Sequence, residues 1–326
     1  MTLPRCHTEN QVAVMSRRTH DREYLLRPDV VMNEIFRYEI ARSASRHGLR
    51  IHAFVAMSNH VHVLATDVHA TRSGFMRDTM AGVARARNRD LDRSGYFWDS
   101  RGYHDMVVLD QGALVKQLLY IWLNPVRTGE CDHPEEWPGM MILPRDWGKP
   151  MRVAKPNGYG RRSEKYVEFT PTPPPGYEQM SLEEVQEHFE GLLEEALQEV
   201  LQERERGKVG AEGVLRVLGL PTSTRPSTPC PRVRKAPRFV ATLPALLLAA
   251  ERQYASFVRV YERVRLRWKG KKTGVVFPCG TLWLKQHARV SCNPAGPEEL
   301  ALCLGHCPPE EHPPSEIHTL LPGTGG

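Results

Sequence analysis

The stretch from Ile51 to Leu64 constrains this chain more than any other. Two apolar, β-branched runs, one ending at Met57 and one beginning at His60, are separated only by Ser58-Asn59. A two-residue connection of turn formers between strands predicts a tight antiparallel hairpin. The second run sets His60 and His62 at i and i+2. In a strand this puts both imidazoles on one face, with Val61 and Val63 on the other as the apolar anchor. Two neutral ring nitrogens converging in this way are half of a metal site. The same spacing also suits a strand with one packed and one solvated histidine, because a bare His-x-His is a short pattern.

Farther along, Gln111 to Arg127 reads QGALVKQLLYIWLNPVR. Leu114, Val115, Leu118, Leu119, Ile121 and Trp122 recur at helical spacing and make a broad apolar face. Gln117, Tyr120 and Asn124 form the opposite stripe, so a phenol and an amide leave the helix in one direction, a turn apart. Pro125 lacks an amide and crowds the preceding turn, which predicts that the helix ends or kinks near Asn124. Taken alone, a Tyr and an Asn also fit a wet helix face with no chemistry.

Together, SNHVHVL and the later YIWLNPVRTG resemble the REP-associated tyrosine transposases, a single-tyrosine branch of the HUH nucleases. Both motifs stand in the family's order, and the resemblance spans roughly residues 8 to 148. It implies that His60 and His62 are metal ligands, that Asn124 is the third ligand and that Tyr120 is the nucleophile. It also implies Mg²⁺ or Mn²⁺ as cofactor, single-stranded or hairpin DNA as substrate, and a 5′-phosphotyrosine intermediate. Relatives include monomers and dimers, so a homodimer is among the implied assemblies. This chain departs from the family at Ser58, where Pro is usual, at Trp122, where His is common, and at Thr128-Gly129-Glu130, which replaces Ala-Gly-Leu.

The flanking patterns supply the remaining elements. Gln11 to Ser16 alternates as a strand, and a helix is predicted from Pro28-Asp29 to about His47, with Gly48 as its stop. A second helix follows from Ser73 to about Leu91, then a strand from Tyr103 to Leu109. The order β-α-β-β-α-β predicts an α+β protein with a ferredoxin-like split βαβ antiparallel sheet, the fold that the resemblance also implies. Candidate DNA contacts are Arg85, Arg87 and Arg89 on the outward side of the second helix, and Arg127 beside the Asn124 motif. Arg93, Tyr96, Trp98 and Arg101 are further candidates, since bases stack on rings and phosphates pair with guanidinium groups. Tyr96 and Trp98 equally suit an edge or core of the sheet.

With 326 residues the chain has room for two domains, and its pI near 9.0 suits a polyanionic partner. The basic excess is uneven: residues 1–148 hold 19 Lys/Arg against 18 Asp/Glu, the remainder 25 against 20. The expected organisation is a catalytic domain over 1–148, a Pro/Gly-rich linker over 149–180, and a mostly helical, partly basic region over 181–326. Within that region Ser181-Leu182-Glu183-Glu184 is a capping box opening an acidic amphipathic helix, and 221–237 is a Pro-rich linker. A long helix is expected from Leu243 to Lys272. Residues Arg232 to Lys272 carry 12 basic and 2 acidic side chains, which suits a solvated face, a partner for the acidic helix or a second phosphate-binding element.

No run is long and apolar enough for a membrane span, and seven cysteines without a secretory signal predict a cytoplasmic protein with reduced thiols, nucleoid-associated when on DNA. Cys279, Cys292, Cys303 and Cys307, near His306 and His312, are the candidates for a small zinc site, although two close C-x-x-C knuckles are missing. The function expected is a DNA transposase or nickase. Its rivals are a hairpin-binding protein that has kept the fold without strand transfer, and a hydrolytic metalloenzyme, which would need a carboxylate or histidine where Tyr120 stands.

Overall fold

The computed structural model of the chain describes residues 4–159, 163–204, 211–227 and 237–296. β1 (Gln11–Arg18) leads to α1 (Val30–His47), which Asp29 caps by accepting the Met32 amide at 2.9 Å. Gly48 ends α1 at φ 66°, a left-handed stop that glycine adopts without a Cβ penalty. β2 (Leu49–Ala56) and β3 (His60–Asp67) form the expected hairpin, in which the Met57 amide donates to the His60 carbonyl at 2.9 Å. α2 (Arg72–Asp90) and β4 (His104–Val108) follow close to their predicted limits. α3 (Gln111–Trp122) breaks at Leu123, and a separate turn, α4 (Asn124–Arg127), holds Pro125 near its start, where a missing amide is harmless.

β2, β3, β1 and β4 lie side by side in that order, antiparallel throughout, with β5 (Met141–Ile142) added outside β2. α1 and α2 cover one face, packing Phe36, Ile40, Phe75 and Met80 against Phe54, Val61 and Val63. The other face takes α3, through Leu114, Leu118 and Trp122 on Val14, Val55 and Leu64. At one end of the sheet Arg72 is buried, donating to Asp105 at 3.0 Å, to Asp67 at 3.2 Å and to Gln11 Oε1 at 2.8 Å. Burial alone would raise the Asp105 carboxyl, but Arg72 and His7 hold it far below the usual carboxylate range. This network ties α2 to three strands.

The expected boundary at residue 148 does not coincide with an edge of the packing. Within the stretch read as a linker, β6 (Met151–Ala154) pairs with β7 (Tyr166–Phe169), and Val167 and Phe169 are buried in the core that includes α1. Tyr38 Oη, on α1, donates to the Glu164 carbonyl at 2.8 Å. α5 (Leu182–Glu203) opens with the predicted capping box and lays Val185, Phe189, Leu193 and Leu197 into the same core as α3. Phe189 stands edge-on to Trp122 and Trp147, with ring centroids 6.1 and 5.3 Å away. An amphipathic stripe announces that a helix is covered, not by what.

α6 (Ala211–Gly219) is followed by β8 (Phe239–Val240), which pairs parallel with β4 and gives the sheet a sixth strand. α7 (Pro244–Lys269), β9 (Val276–Phe277), α8 (Leu282–Ala288) and β10 (Ser291–Cys292) complete the described extension. Cys292 Sγ bonds the Thr281 carbonyl at 3.5 Å, while Cys303, Cys307, His306 and His312 lie outside the described residues, as does 228–236 of the Pro-rich stretch. Among the described residues no helix is long and apolar enough to cross a membrane.

Candidate active site

Strand register assembles the site. Pairing puts Arg18 opposite His60 and Ser16 opposite His62, with Val55 on the far side of His62 and His104 beyond Ser16. Directly opposed residues share a face. Val55, His62, Ser16 and His104 therefore form one row across the face that α3 covers, and His60 and Arg18 sit in the next row of that face. α3 points Tyr120 at this row. Its ring stands edge-on to His62, with centroids 5.5 Å and planes 84° apart, and His62 is edge-on to His60 at 5.1 Å and 87°. Tyr120 is 36% exposed, so its phenol is open to a large ligand.

Asn124 arrives from α4, just past the break in the helix. Its side chain is close enough to His60 to favour the protonated ring, yet its buried Oδ1 has no hydrogen-bond partner. The His62 Nδ1 is likewise buried and unpartnered. The Asn59 Oδ1 lies 2.7 Å from His60 Nδ1, which assigns the proton to that nitrogen and leaves Nε2 as a lone-pair donor. Orphaned polar atoms are uncommon in protein interiors, because each forfeits its hydration. Two of them on residues that neighbour the His60 ring are what a group supplied from outside the chain would satisfy.

The titration of these histidines follows from their setting. Burial pushes His60 down to about 4, with Arg18 and Arg22 lowering it further against the opposing pull of Asn124. Burial also holds His62 well below its ordinary value, helped by His60, Arg18 and His104. Both rings are neutral at pH 7 and keep their lone pairs, the form that binds metals. No group of three or more His, Cys, Asp or Glu side chains suited to a metal occurs among the described residues. The set at hand has instead two imidazoles and a carboxamide, neutral donors that fit a divalent cation without cancelling its charge.

The structure sorts the other candidates. Arg85 and Arg89 are exposed on α2, which packs on the sheet face opposite His60 and His62. Arg87 does not point outward as expected: it is 1% exposed and donates to Asp29, Asp90 and the Leu25 carbonyl, because its helical position faces α1's start. Trp98 is 8% exposed and donates its indole N–H to the Met80 carbonyl at 2.7 Å, so it fills the sheet edge and offers no stacking face. Arg93 bonds the Tyr96 carbonyl at 2.9 Å, and Arg101 is held by Asp99. Tyr96 is 80% exposed, on a loop whose Asp99 amide bonds the Arg18 carbonyl at 3.0 Å. That bond places the loop at the His60 end of the sheet. Arg127, on α4, is half-buried and its Nε has no partner.

Sequence reasoning missed Arg18, Ser16 and His104, and read Asn59 only as part of the turn. Cross-strand neighbours depend on a register that no local pattern prints, so only the place of Asn59 immediately before His60 was a signal.

No family model matches the chain, and no curated protein matches it either. Among solved structures, that of the REP-associated tyrosine transposase bound to a REP hairpin is similar at 16% identity and a TM-score of 0.37, over 50% of this chain and 99% of that one.

Proposed function

We propose that this protein is a single-tyrosine HUH nuclease or strand transferase that acts on single-stranded or hairpin DNA, built on a split βαβ sheet of the ferredoxin-like kind. The observation that carries the reading is the convergence of His60 and His62 from β3 with Tyr120 from α3 and Asn124 from α4, across the sheet face that these helices share. In this reading Tyr120 Oη bonds to phosphorus as the P–O3′ bond breaks. The phenolic proton passes to solvent and the 3′ oxygen gains one, leaving a 5′-phosphotyrosine and a free 3′ hydroxyl. The covalent bond conserves the phosphodiester energy, so another 3′ hydroxyl reverses the step. Arg18, exposed beside His60, attracts the phosphate, and the edge-on His62 ring positions the phenol. His60, His62 and Asn124 would hold Mg²⁺ or Mn²⁺, which supplies charge neutralisation at the non-bridging oxygens.

The deciding experiment replaces Tyr120 by Phe, which deletes one oxygen from a part-exposed ring and leaves packing nearly unchanged. Wild type, given a panel of hairpin oligonucleotides and Mg²⁺ or Mn²⁺, should form a denaturation-resistant adduct with a DNA 5′ end. Tyr120→Phe should bind the same DNA and form none. An adduct that persists in the variant, or maps to Tyr96 or Tyr103, overturns the assignment. Tight hairpin binding with no cleavage by wild type makes the protein a binding module.

A further inference from the structure

A cleft of about 650 Å³ lies where the C-terminal extension crosses the outer edge of β4. Residues of β4, β8 and α7 line it, together with the N-terminal segment around Arg5. Arg5 spans the Tyr103 ring at 3.8 Å and donates to the Tyr103 carbonyl at 2.9 Å; Arg238 lies over the Tyr254 ring at 4.5 Å. The acid in the lining is already engaged, since Asp105 accepts from Arg72 at 3.0 Å and lies 2.8 Å from His7. Neither Arg5 nor Arg238 is ion-paired among the described residues, so the cleft carries net positive charge. On its wall, Gln253 Nε2 is buried and has no acceptor, an N–H donor awaiting a partner.

Two continuities extend the cleft. His104 lines it and also belongs to the row with Ser16 and His62, so the cleft and the Tyr120 site share a strand end. On the other side, Arg252, Arg259, Arg263 and Arg267 recur along one exposed stripe of α7, beside Ser256 and Val260 of the cleft wall. The helical rise sets these guanidinium groups roughly 6 to 10 Å apart along the axis. None of the four is ion-paired among the described residues.

We propose that the cleft and the arginine stripe form a second binding site, one that takes single-stranded DNA. A base in the cleft would accept from Gln253, while successive phosphates meet Arg5, Arg238 and the α7 stripe. A volume of about 650 Å³ has room for a nucleotide. That the ligand is DNA and no other polyanion rests on the reading of the Tyr120 site as one that handles DNA. The positive, donor-rich cleft does not depend on that reading.

The test uses the full chain and a fluorescein-labelled oligothymidylate of about twelve nucleotides, a length that one such groove covers. Anisotropy is followed across a salt series. Arg259→Glu/Arg263→Glu should weaken binding tenfold or more and reduce the slope of log K against log salt by about 1.4, from two lost single-strand phosphate contacts. Gln253→Leu should weaken binding without changing the slope, and it serves if the charge-reversed protein fails to fold. Strands carrying 5-iododeoxyuridine should photo-crosslink to the peptide containing Tyr254. Unchanged affinity and slope in the arginine variant, or crosslinks confined to the Tyr120 face, overturn the proposal. Displacement by free thymidine monophosphate as effective as by the oligonucleotide would mean a mononucleotide pocket, and preferential displacement by oligouridylate would mean an RNA site; either refutes it. A wild type that forms no adduct while these shifts persist disproves the catalytic reading and leaves the second site standing.

Discussion

Replacing Phe189 by Ala asks whether α5 belongs to the core beneath α3 or merely leans on it. The ring is fully buried, with Trp122, Trp147 and Tyr177 edge-on at centroid distances of 6.1, 5.3 and 5.0 Å. Removing a buried phenyl group costs about 3–5 kcal/mol through lost transfer energy and the cavity left behind. Edge-on aromatic pairs are each worth about 0.5–1.5 kcal/mol, partly within that figure, so about 4 kcal/mol is expected. For 326 residues the entropy of unfolding is about 0.7 kcal/mol per kelvin, and the melting temperature should fall by about 6 °C. Differential scanning calorimetry is the assay, and the transition should move as a whole. Trp122 and Trp147 emission should shift to the red in the same transition. A variant that melts within a degree of wild type, or that shows an early separate step before an unmoved main transition, refutes the reasoning and restores a domain boundary near residue 148.

Three further outcomes are expected. His52 is buried with Thr66 Oγ1 at 2.8 Å and the Thr172 carbonyl at 3.0 Å, and burial pushes its pKa down to about 4. The unfolded chain then binds a proton near 6.5 that the folded chain refuses until about 4, so stability is full above 6.5 and drains as pH falls through that window. Urea titrations should show that His52→Gln flattens this dependence by up to about 1.4 kcal/mol per pH unit; an unaltered slope disproves the burial argument. Asn59→Ala removes the oxygen that orients His60 Nδ1–H and should lower Mn²⁺ affinity about 10- to 100-fold by isothermal calorimetry, with the melting temperature of the metal-free protein nearly unchanged. Gly82→Ala would drive a methyl group into the buried Glu39 carboxylate and separate α1 from α2. The variant should lose about 1–3 kcal/mol in chemical denaturation despite alanine's better helix propensity, and a more stable variant would show that Glu39 yields freely.

What the sequence disclosed was whatever local periodicity encodes. The hairpin at Ser58-Asn59, the Asp29 and Gly48 limits of α1, the capping box of α5 and the end of α3 before Asn124 are all written within a few residues of where they act. The face shared by His60 and His62 was legible for the same reason, as was the polar stripe holding Tyr120. Arg87 misled because an arginine in an amphipathic pattern reads as outward. Only the tertiary arrangement reveals that Asp29 and the Leu25 carbonyl meet its buried guanidinium, with Asp90 three residues along the same helix. Trp98 was ambiguous, since one ring can fill an edge or stack on a base. The proline-rich composition of 149–180 concealed β6 and β7, whose Val167 and Phe169 are buried in the core that includes α1. Arg18 and Ser16 enter the site through register alone.

The parallel pairing of β8 with β4 bears on how molecules of this protein meet one another. The Val107 amide donates to the Arg238 carbonyl at 2.8 Å and the Leu109 amide to the Val240 carbonyl at 3.0 Å, so both donors are consumed within the chain. At the opposite flank β5 occupies β2, and the Ala56 amide bonds the Met140 carbonyl at 2.9 Å. With both flanks blunted by two-residue strands, the sheet presents little of the adhesive ribbon through which unpaired strands recruit copies of themselves. Ending the chain before Arg238 would uncover Val107 and Leu109 together with their backbone donors. The aggregation or spurious dimerisation of such a fragment would report the wound, not the native protein's own habits of assembly.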